Sequence, residues 1–347
     1  MLRSLAADGT EKLVIASHEL TVENTTYCGA NCIMCPRDEY PFKWQHMPME
    51  LFKAVMQQAV DLGITSLDIC GFGDPLMDPK LEDKLQFVKE AHPQINIYTA
   101  TTAHLLTEKR MERICRYLDT LKISNYGFSK ESYEAVHGGV VKFEDVWDNV
   151  HNLLARPRAN RPHVILSFLI FPENEHEIEA WKAYWKDRAD EIMVWRPHNY
   201  GGSLRGEERA YVSQARSEHK SPRSCGRPFR GNPFVRVNGD VSVCCFDSNN
   251  KLVVGNLHKQ TLFDILAGGQ LTKVKNVHEQ LAFEGCGLLC EGCDQIYERK
   301  DALVYSNSPN RSVDQPTTHA DHIVRLVETN SSADASHPKS KIASPAA

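Results

Sequence analysis

A parallel α/β fold is predicted by three observations. Short β-like runs alternate with helix-like stretches from about residue 18 to 200. The alternation repeats six times in about 180 residues, the spacing of strand–helix crossovers. Three loops of unusual composition then fall directly after strands. HELTVEN (18–24) alternates apolar and polar residues as a first strand and leads into a cysteine group. MELFKAVMQQAVDLG has helical periodicity and stops at Gly63. SLDIC (66–70) is a second strand, followed by GFGDP and the helical PKLEDKLQFVKEA. INIYTATT (95–102) and the Thr107-capped helix TEKRMERICRYLD come next. LKISNYG (121–127) precedes SKESYEAVHGG and the helix FEDVWDNVHNLLA. HVILSFLIF (163–171) is apolar enough for burial on both faces, NEHEIEAWKAYWKD is the fifth helix and EIMVW (191–195) the sixth strand. Trp147, Trp181 and Trp185 sit at core-like helical spacing and read as packing residues. Spacing alone fits an open doubly wound sheet or a partial barrel. Either would place ligand loops at the C-terminal strand ends, where the first cysteines, GFGDP (71–75) and RPHNYGG (196–202) fall.

From Leu204 the alternation breaks. The sequence divides into an N-terminal segment (1–17), the α/β region (18–203), a charged linker (204–220), a small cysteine-rich region (221–304) and a polar Ser/Pro/Ala-rich tail (305–347) expected to be disordered. The net charge of -5 argues against a nucleic-acid or membrane-surface protein. MLRSLAADGTEKL lacks a signal-peptide pattern, and no apolar run approaches the roughly 18 residues of a membrane span. A soluble cytoplasmic protein is expected.

The chain has eleven cysteines, and nine of them cluster: Cys28, Cys32 and Cys35, then Cys225, Cys244, Cys245, Cys286, Cys290 and Cys293. Cys70 and Cys115 stand alone. Without an export signal, grouped thiols read as metal ligands rather than disulfides. CGANCIMC spaces three thiols C-x3-C-x2-C with no fourth nearby. A structural zinc site needs four ligands, so zinc would require a distant histidine. A four-iron cluster on three thiols would instead leave one iron open to a ligand. In GFGDP, the glycines permit close backbone approach, while Asp74 also suits an ordinary helix cap.

The triplet C-x3-C-x-Φ-C, with Met34 as the apolar Φ, followed by GFGDP after the next strand, resembles the radical S-adenosylmethionine superfamily. The resemblance implies a partial (β/α)6 TIM-like barrel with a small C-terminal iron–sulfur domain. It implies a [4Fe-4S] cluster on Cys28, Cys32 and Cys35, whose open iron chelates S-adenosyl-L-methionine. Electron transfer from a reducing partner such as flavodoxin or ferredoxin would release a 5′-deoxyadenosyl radical. By the same resemblance Gly71, Phe72, Gly73, Asp74 and Pro75 meet the cofactor amino group. Met34 would pack on adenine, where many members carry an aromatic, and Ser124 and Asn125 would meet the ribose or carboxylate.

Cys225, thirteen residues, Gly239, four residues and Cys244, then Cys290-E-G-Cys293, resemble a Twitch/SPASM extension, as do NGDVSVCCFD, GNL (255–257) and TLFDIL. The C-x2-C-x5-C-x3-C run of a two-cluster SPASM domain is missing. The resemblance therefore implies one auxiliary [4Fe-4S] cluster on Cys225, Cys244, Cys290 and Cys293. A zinc ribbon uses similar pairs. Cys245 and Cys286 are surplus, as substitute ligands, hydrogen-atom donors or small buried hydrophobes.

Polar groups at strand ends are candidates to orient substrate: Glu23 and Asn24 before the cluster loop, then Arg196, His198, Asn199 and Tyr200. Arg196 suits a carboxylate or phosphate and His198 a proton transfer; a satisfied turn leading out of the barrel explains the same residues. Only 27 residues precede Cys28, too few for a leader-peptide-binding domain. That favours a small polar substrate such as a sugar, aminocyclitol or nucleoside, with peptide modification through a separate recognition protein as the alternative. A metal-binding protein without catalysis is the reading from another class.

Overall fold

A computed structural model describes residues 2–5, 11–14, 18–37, 40–41, 44–203, 221–230, 232–297 and 302–308. Strands β1 (Leu2–Leu5) and β2 (Glu11–Val14) form a separate antiparallel pair. The six expected strands follow as β3 (Glu19–Val22), β4 (Ser66–Ile69), β5 (Asn96–Thr101), β6 (Thr120–Ser124), β7 (His163–Leu169) and β8 (Glu191–Trp195). They are mutually parallel and lie side by side in chain order. A doubly wound sheet reverses its order at a switch point; this one never does, so its winding is that of a barrel. The outer strands of the six, β3 and β8, do not pair with each other, which makes the barrel partial.

The helices are α1 (Met49–Asp61), α2 (Leu81–Ala91), α3 (Glu108–Tyr117), α4 (Lys130–Val136), α5 (Phe143–Leu154) and α6 (Ile178–Trp185). Thr107 occupies the α3 N-cap position, without a bond from its side chain. In SKESYEAVHGG, Ser129 accepts from the Ser132 amide at 3.2 Å and starts the additional short helix α4. Leu67, Ile69, Ile97, Leu121, Ile123, Val164 and Leu166 join the helices in the main core. Trp181 and Trp185 are fully buried, and Trp147 packs on Trp185 with ring centroids 5.5 Å apart. Because strand side chains alternate, Asp68, Tyr98, Lys122 and Ser124 lie on the opposite face, inside the barrel.

The cysteine-rich region continues the same sheet. Strand β9 (Phe234–Val235) pairs parallel with β3, and β10 (Asp240–Ser242) and β11 (Val253–Asn256) extend it antiparallel. Helix α7 (Arg227–Arg230) precedes β9, and α8 (Leu262–Ala267) opens with a reciprocal capping box between Thr261 and Asp264. A further helix, α9 (Gly269–Gln280), follows at once because Gly268 closes α8 and opens α9; the glycine pair hides it in the sequence. The far edge is closed by β12 (Leu303–Ser306), antiparallel to β8. The boundary expected at residue 305 is thereby corrected: Tyr305 and Ser306 are paired with Val194 and Met193. The linker at 204–220 and the tail from 309 lie outside the described residues. Among the described residues, no helix is long and apolar enough to cross a membrane.

One buried ion pair fixes the approach to the site. Lys84 donates to Asp78 at 2.6 Å and to the Met47 carbonyl at 2.7 Å, and both charged side chains are essentially inaccessible. Asp78 also accepts from Asn24 at 3.1 Å, tying the end of β3 to the segment after GFGDP. Replacing Lys84 by Met strands a buried carboxylate, so Lys84→Met should lose about 3–5 kcal/mol in anaerobic urea unfolding.

Candidate active site

The cysteine triplet sits on the loop that leaves β3 at the C-terminal rim. Its backbone is held from two sides. Asn31 and Ile33 amides donate to the carbonyls of His137 and Val136 at the end of α4, both at 3.1 Å. Arg37 donates to the carbonyls of Ala30 at 2.8 Å and Cys28 at 3.4 Å. The Cys35 amide closes a turn on the Cys32 carbonyl at 3.0 Å. Burial pushes the Cys28 thiol up, with Asp74 adding to it; burial pushes Cys32 up further, with Cys35 and Cys28 beside it. Charges on neighbouring buried thiols oppose one another, a repulsion that a cationic centre would relieve, so three thiols on one loop suit a metal cluster.

GFGDP packs directly beneath this loop. The Asp74 amide donates to the Tyr27 carbonyl at 2.8 Å. A Cβ on Gly73 would lie 2.2 Å from the Thr25 carbonyl oxygen and 2.7 Å from that of Tyr27, so only glycine fits. Asp74 does cap, accepting from Leu76 N at 3.0 Å. Its carboxylate also accepts from the Thr101 hydroxyl at 2.7 Å and the Thr102 hydroxyl at 2.7 Å, anchoring the loop to the end of β5. The cap and the close approach are thus one device. Phe72 lies on Tyr40, ring centroids 4.7 Å apart, and Pro75 begins a short 3-10 turn.

Glu23 and Asn24, expected to orient substrate, are both buried and engaged with the chain. Glu23 accepts from the Phe72 amide at 3.0 Å and from the Tyr40 hydroxyl, and Asn24 donates to Asp78 and Pro75. Asn125 likewise accepts from the Trp181 indole at 2.6 Å, while Ser124 accepts from the Tyr126 hydroxyl at 3.1 Å. Met34 is buried with Val136 and Phe171, against Tyr126 and Tyr200.

The late cysteines separate into two groups. Cys225, Cys244, Cys290 and Cys293 line one apolar pocket, with Val243, Leu252 and Leu289 among its walls. Cys245 and Cys286 do not line it. Backbone amides of Phe246 and Gln295 donate to the Cys244 and Cys293 sulfurs at 3.4 Å, and His278 Nε2 lies 3.3 Å from Cys290 Sγ. Burial pushes the Cys290 thiol up to about 12. Burial works against the charge of nearby Arg227, but the sulfurs of Cys245, Cys244, Cys225 and Cys293 outweigh it and hold the guanidinium protonated. Four thiols with N–H donors and a cation around an apolar cavity form a fitting cage for an iron–sulfur cluster. His278 and Arg227 escaped the sequence reading because neither has motif spacing to the cysteines.

The loop after β8 is the joint between the halves. Asn199 donates to the Gly292 carbonyl at 2.7 Å and accepts from the Asp294 amide at 3.0 Å. His198 stacks on Phe246 with centroids 3.7 Å apart, and the Arg196 amide donates to Ala302 at 2.9 Å. Tyr200 touches both the Met34 cluster and the cluster of Tyr40, Phe72 and Phe234.

Inside the barrel the structure assembles residues that motif reading passed over. Asp68 hydrogen-bonds Cys70, with Cys245 and Lys122 within electrostatic reach. Its Oδ1 is buried and has no hydrogen-bond partner among the described residues, and burial pushes the carboxyl up to about 7. Cys245, bonded by Arg227 at 3.3 Å, also lines a polar pocket with Glu19, Thr21, Arg230 and Asn232. The signal was a charged residue between the buried Leu and Ile of two strands, SLDI and TLKIS.

Fold and site together define an iron–sulfur barrel protein with two separate thiol sets. Residues 22–183 match the model of the radical SAM superfamily, and 225–294 match that of the SPASM iron-sulfur cluster-binding domain. The chain belongs to the radical SAM superfamily and carries a SPASM-type C-terminal domain; its cofactors are S-adenosylmethionine, a [4Fe-4S] cluster and an auxiliary cluster. It is 24% identical over 284 residues to an S-adenosyl-L-methionine-dependent 2-deoxy-scyllo-inosamine dehydrogenase of Niallia circulans, covering 80% of this chain and 92% of that one. BtrN in complex with AdoMet and 2-DOIA shares the fold at TM-score 0.56 and 20% identity, over 81% of this chain and 94% of that one. Streptococcus suis SuiB bound to precursor peptide SuiA does so at TM-score 0.57 and 15% identity, over 74% and 65%.

Gly73→Ala should force the GFGDP loop off the cluster loop, at a cost of about 1–3 kcal/mol. Mössbauer spectra of the variant should show loss of the first cluster with the auxiliary one retained.

Proposed function

We propose that the protein is a radical SAM dehydrogenase that oxidises a secondary alcohol of a small polar ring, an aminocyclitol, sugar or nucleoside of a natural-product pathway. The observation that carries this reading is the near full-length likeness to the inosamine dehydrogenase, combined with one four-thiol pocket among the described residues. Cys28, Cys32 and Cys35 hold the first cluster, and Cys225, Cys244, Cys290 and Cys293 the auxiliary one. Bound S-adenosylmethionine supplies the radical that takes a hydrogen atom from the carbinol carbon, after one electron arrives from a flavodoxin or ferredoxin. The chain's part is then to accept the hydroxyl proton and lead away the remaining electron. We assign the proton to Asp68 Oδ1, buried and unpartnered among the described residues, with Lys122 within electrostatic reach to favour the ionised carboxylate before it accepts the proton. An auxiliary cluster held by those four thiols would accept the electron, so one electron enters and one leaves per alcohol oxidised to ketone.

The test is anaerobic reconstitution followed by assay with aminocyclitols, sugars and nucleosides. 5′-Deoxyadenosine should form with one equivalent of ketone, and Cys32→Ala should abolish both. Ketone-free cleavage with all three classes, and turnover of a peptide instead, would replace this reading with peptide modification.

A base must be ionised to act, and the raised Asp68 carboxyl ionises only as pH climbs through about 7. The rate should therefore fall on the acidic side of about pH 7. Asp68→Asn should remove that limb and lower kcat by about 10²–10⁴-fold, with cofactor cleavage still detectable.

A further inference from the structure

Between the two thiol sets runs a chain of buried polar groups that neither cluster requires as a ligand. It begins at the loop after Cys244, where Asp247 accepts from Ser242 Oγ at 3.0 Å and from the amides of Leu252 and Lys251 at 3.1 and 2.8 Å. Arg236, at the end of β9, donates to the Asp247 carbonyl and lies 3.3 Å from its carboxylate. The other arm of the same guanidinium donates to the Tyr40 hydroxyl at 3.1 Å. Tyr40 in turn donates to Glu23, and the second oxygen of Glu23 accepts from the Phe72 amide inside GFGDP at 3.0 Å. Glu23, Arg236 and Asp247 are wholly buried and Tyr40 is 3% exposed, so water cannot replace a lost partner. Each member fixes the next: Arg236 also stacks on the rings of Tyr40 and Phe234, at 5.4 and 5.2 Å.

We propose that the chain Asp247–Arg236–Tyr40–Glu23 couples the auxiliary thiol site to the cofactor loop, so that S-adenosylmethionine binds tightly only when the auxiliary cluster is in place. It rests on the reading that GFGDP meets the cofactor. The auxiliary cluster fixes Cys244, and the loop it heads carries Asp247 three residues on. Asp247 sets Arg236, Arg236 holds the Tyr40 hydroxyl, and Glu23 then presents the Phe72 backbone at the height that Gly71 and Gly73 allow. The coupling is reciprocal, since any preference of one site for the loaded state of the other is shared by both. Tyr40 is a positioning residue here, not a catalytic one.

Tyr40→Phe removes the central hydroxyl while keeping the ring against Phe72 and Phe234. S-adenosylmethionine affinity is measured by equilibrium dialysis on anaerobically reconstituted protein, with the EPR signal of the first cluster recorded alongside. Wild type, Tyr40→Phe, Cys290→Ser and the double variant are compared. Coupling energies of this kind are typically worth about 5–150-fold in affinity. Tyr40→Phe should weaken binding within that range while retaining the iron of both clusters, and should blunt the cofactor-induced change in the EPR signal. Cys290→Ser should weaken binding comparably, and the double variant no further. Full multiplication of the two effects overturns the coupling. So does Tyr40→Phe with wild-type affinity and an unchanged signal, which decides the matter alone if Cys290→Ser fails to fold. Wild type that binds no S-adenosylmethionine overturns the cofactor-site reading together with the coupling.

Discussion

Everything distinctive about this molecule hangs on the parallel pairing of β9 with β3. The Thr21 and Glu23 amides donate to Pro233 and Val235 carbonyls at 3.0 and 2.8 Å, so a segment more than two hundred residues away becomes the neighbour of the strand that carries the cysteine triplet. Without that pairing the four-thiol cavity would be a satellite. With it, the cavity is welded to the barrel through a continuous hydrogen-bonded ladder. A ladder cannot slip by one residue without turning buried side chains to the wrong face.

The glycines of GFGDP and the polar chain behind them illustrate a division of labour. Gly73 sets how closely two backbones lie, a steric matter in which any Cβ fails. Glu23 and Asp74 set how those backbones are oriented, through amide donors that have no alternative partner in a dry interior. Steric contact and hydrogen bonding thus restrain the same loop in different directions. A loop restrained in this way reaches a ligand with little left to reorganise.

The six parallel strands and the two cysteine groups were legible because they are local: alternation and spacing are written into contiguous residues. The closure of both sheet edges was not, since β9 has two residues and β12 four, too short for periodicity to register. Glu23 and Asn24 looked like ligand groups because polar residues at a strand end usually face solvent; long-range partners at Tyr40, Phe72 and Asp78 bury them instead. Asp68 and Lys122 were written in the sequence as single charges flanked by Leu and Ile, yet only the assembled barrel shows that they share an interior. Helix α9 was masked by Gly268, which ends one helix and begins the next.

The covering of both edges has a consequence for how the chain is made. Strands β3 and β8 are the outermost of the parallel six, and their partners lie at residues 234–235 and 303–306. During synthesis, the barrel half is complete as sequence long before either partner has left the ribosome. Through that interval two rows of unpaired amides and carbonyls stand open to other chains. The late segments therefore act as built-in seals of the parallel sheet. Truncation before residue 303 would yield a protein with intact thiol sites and a tendency to aggregate through its β8 edge.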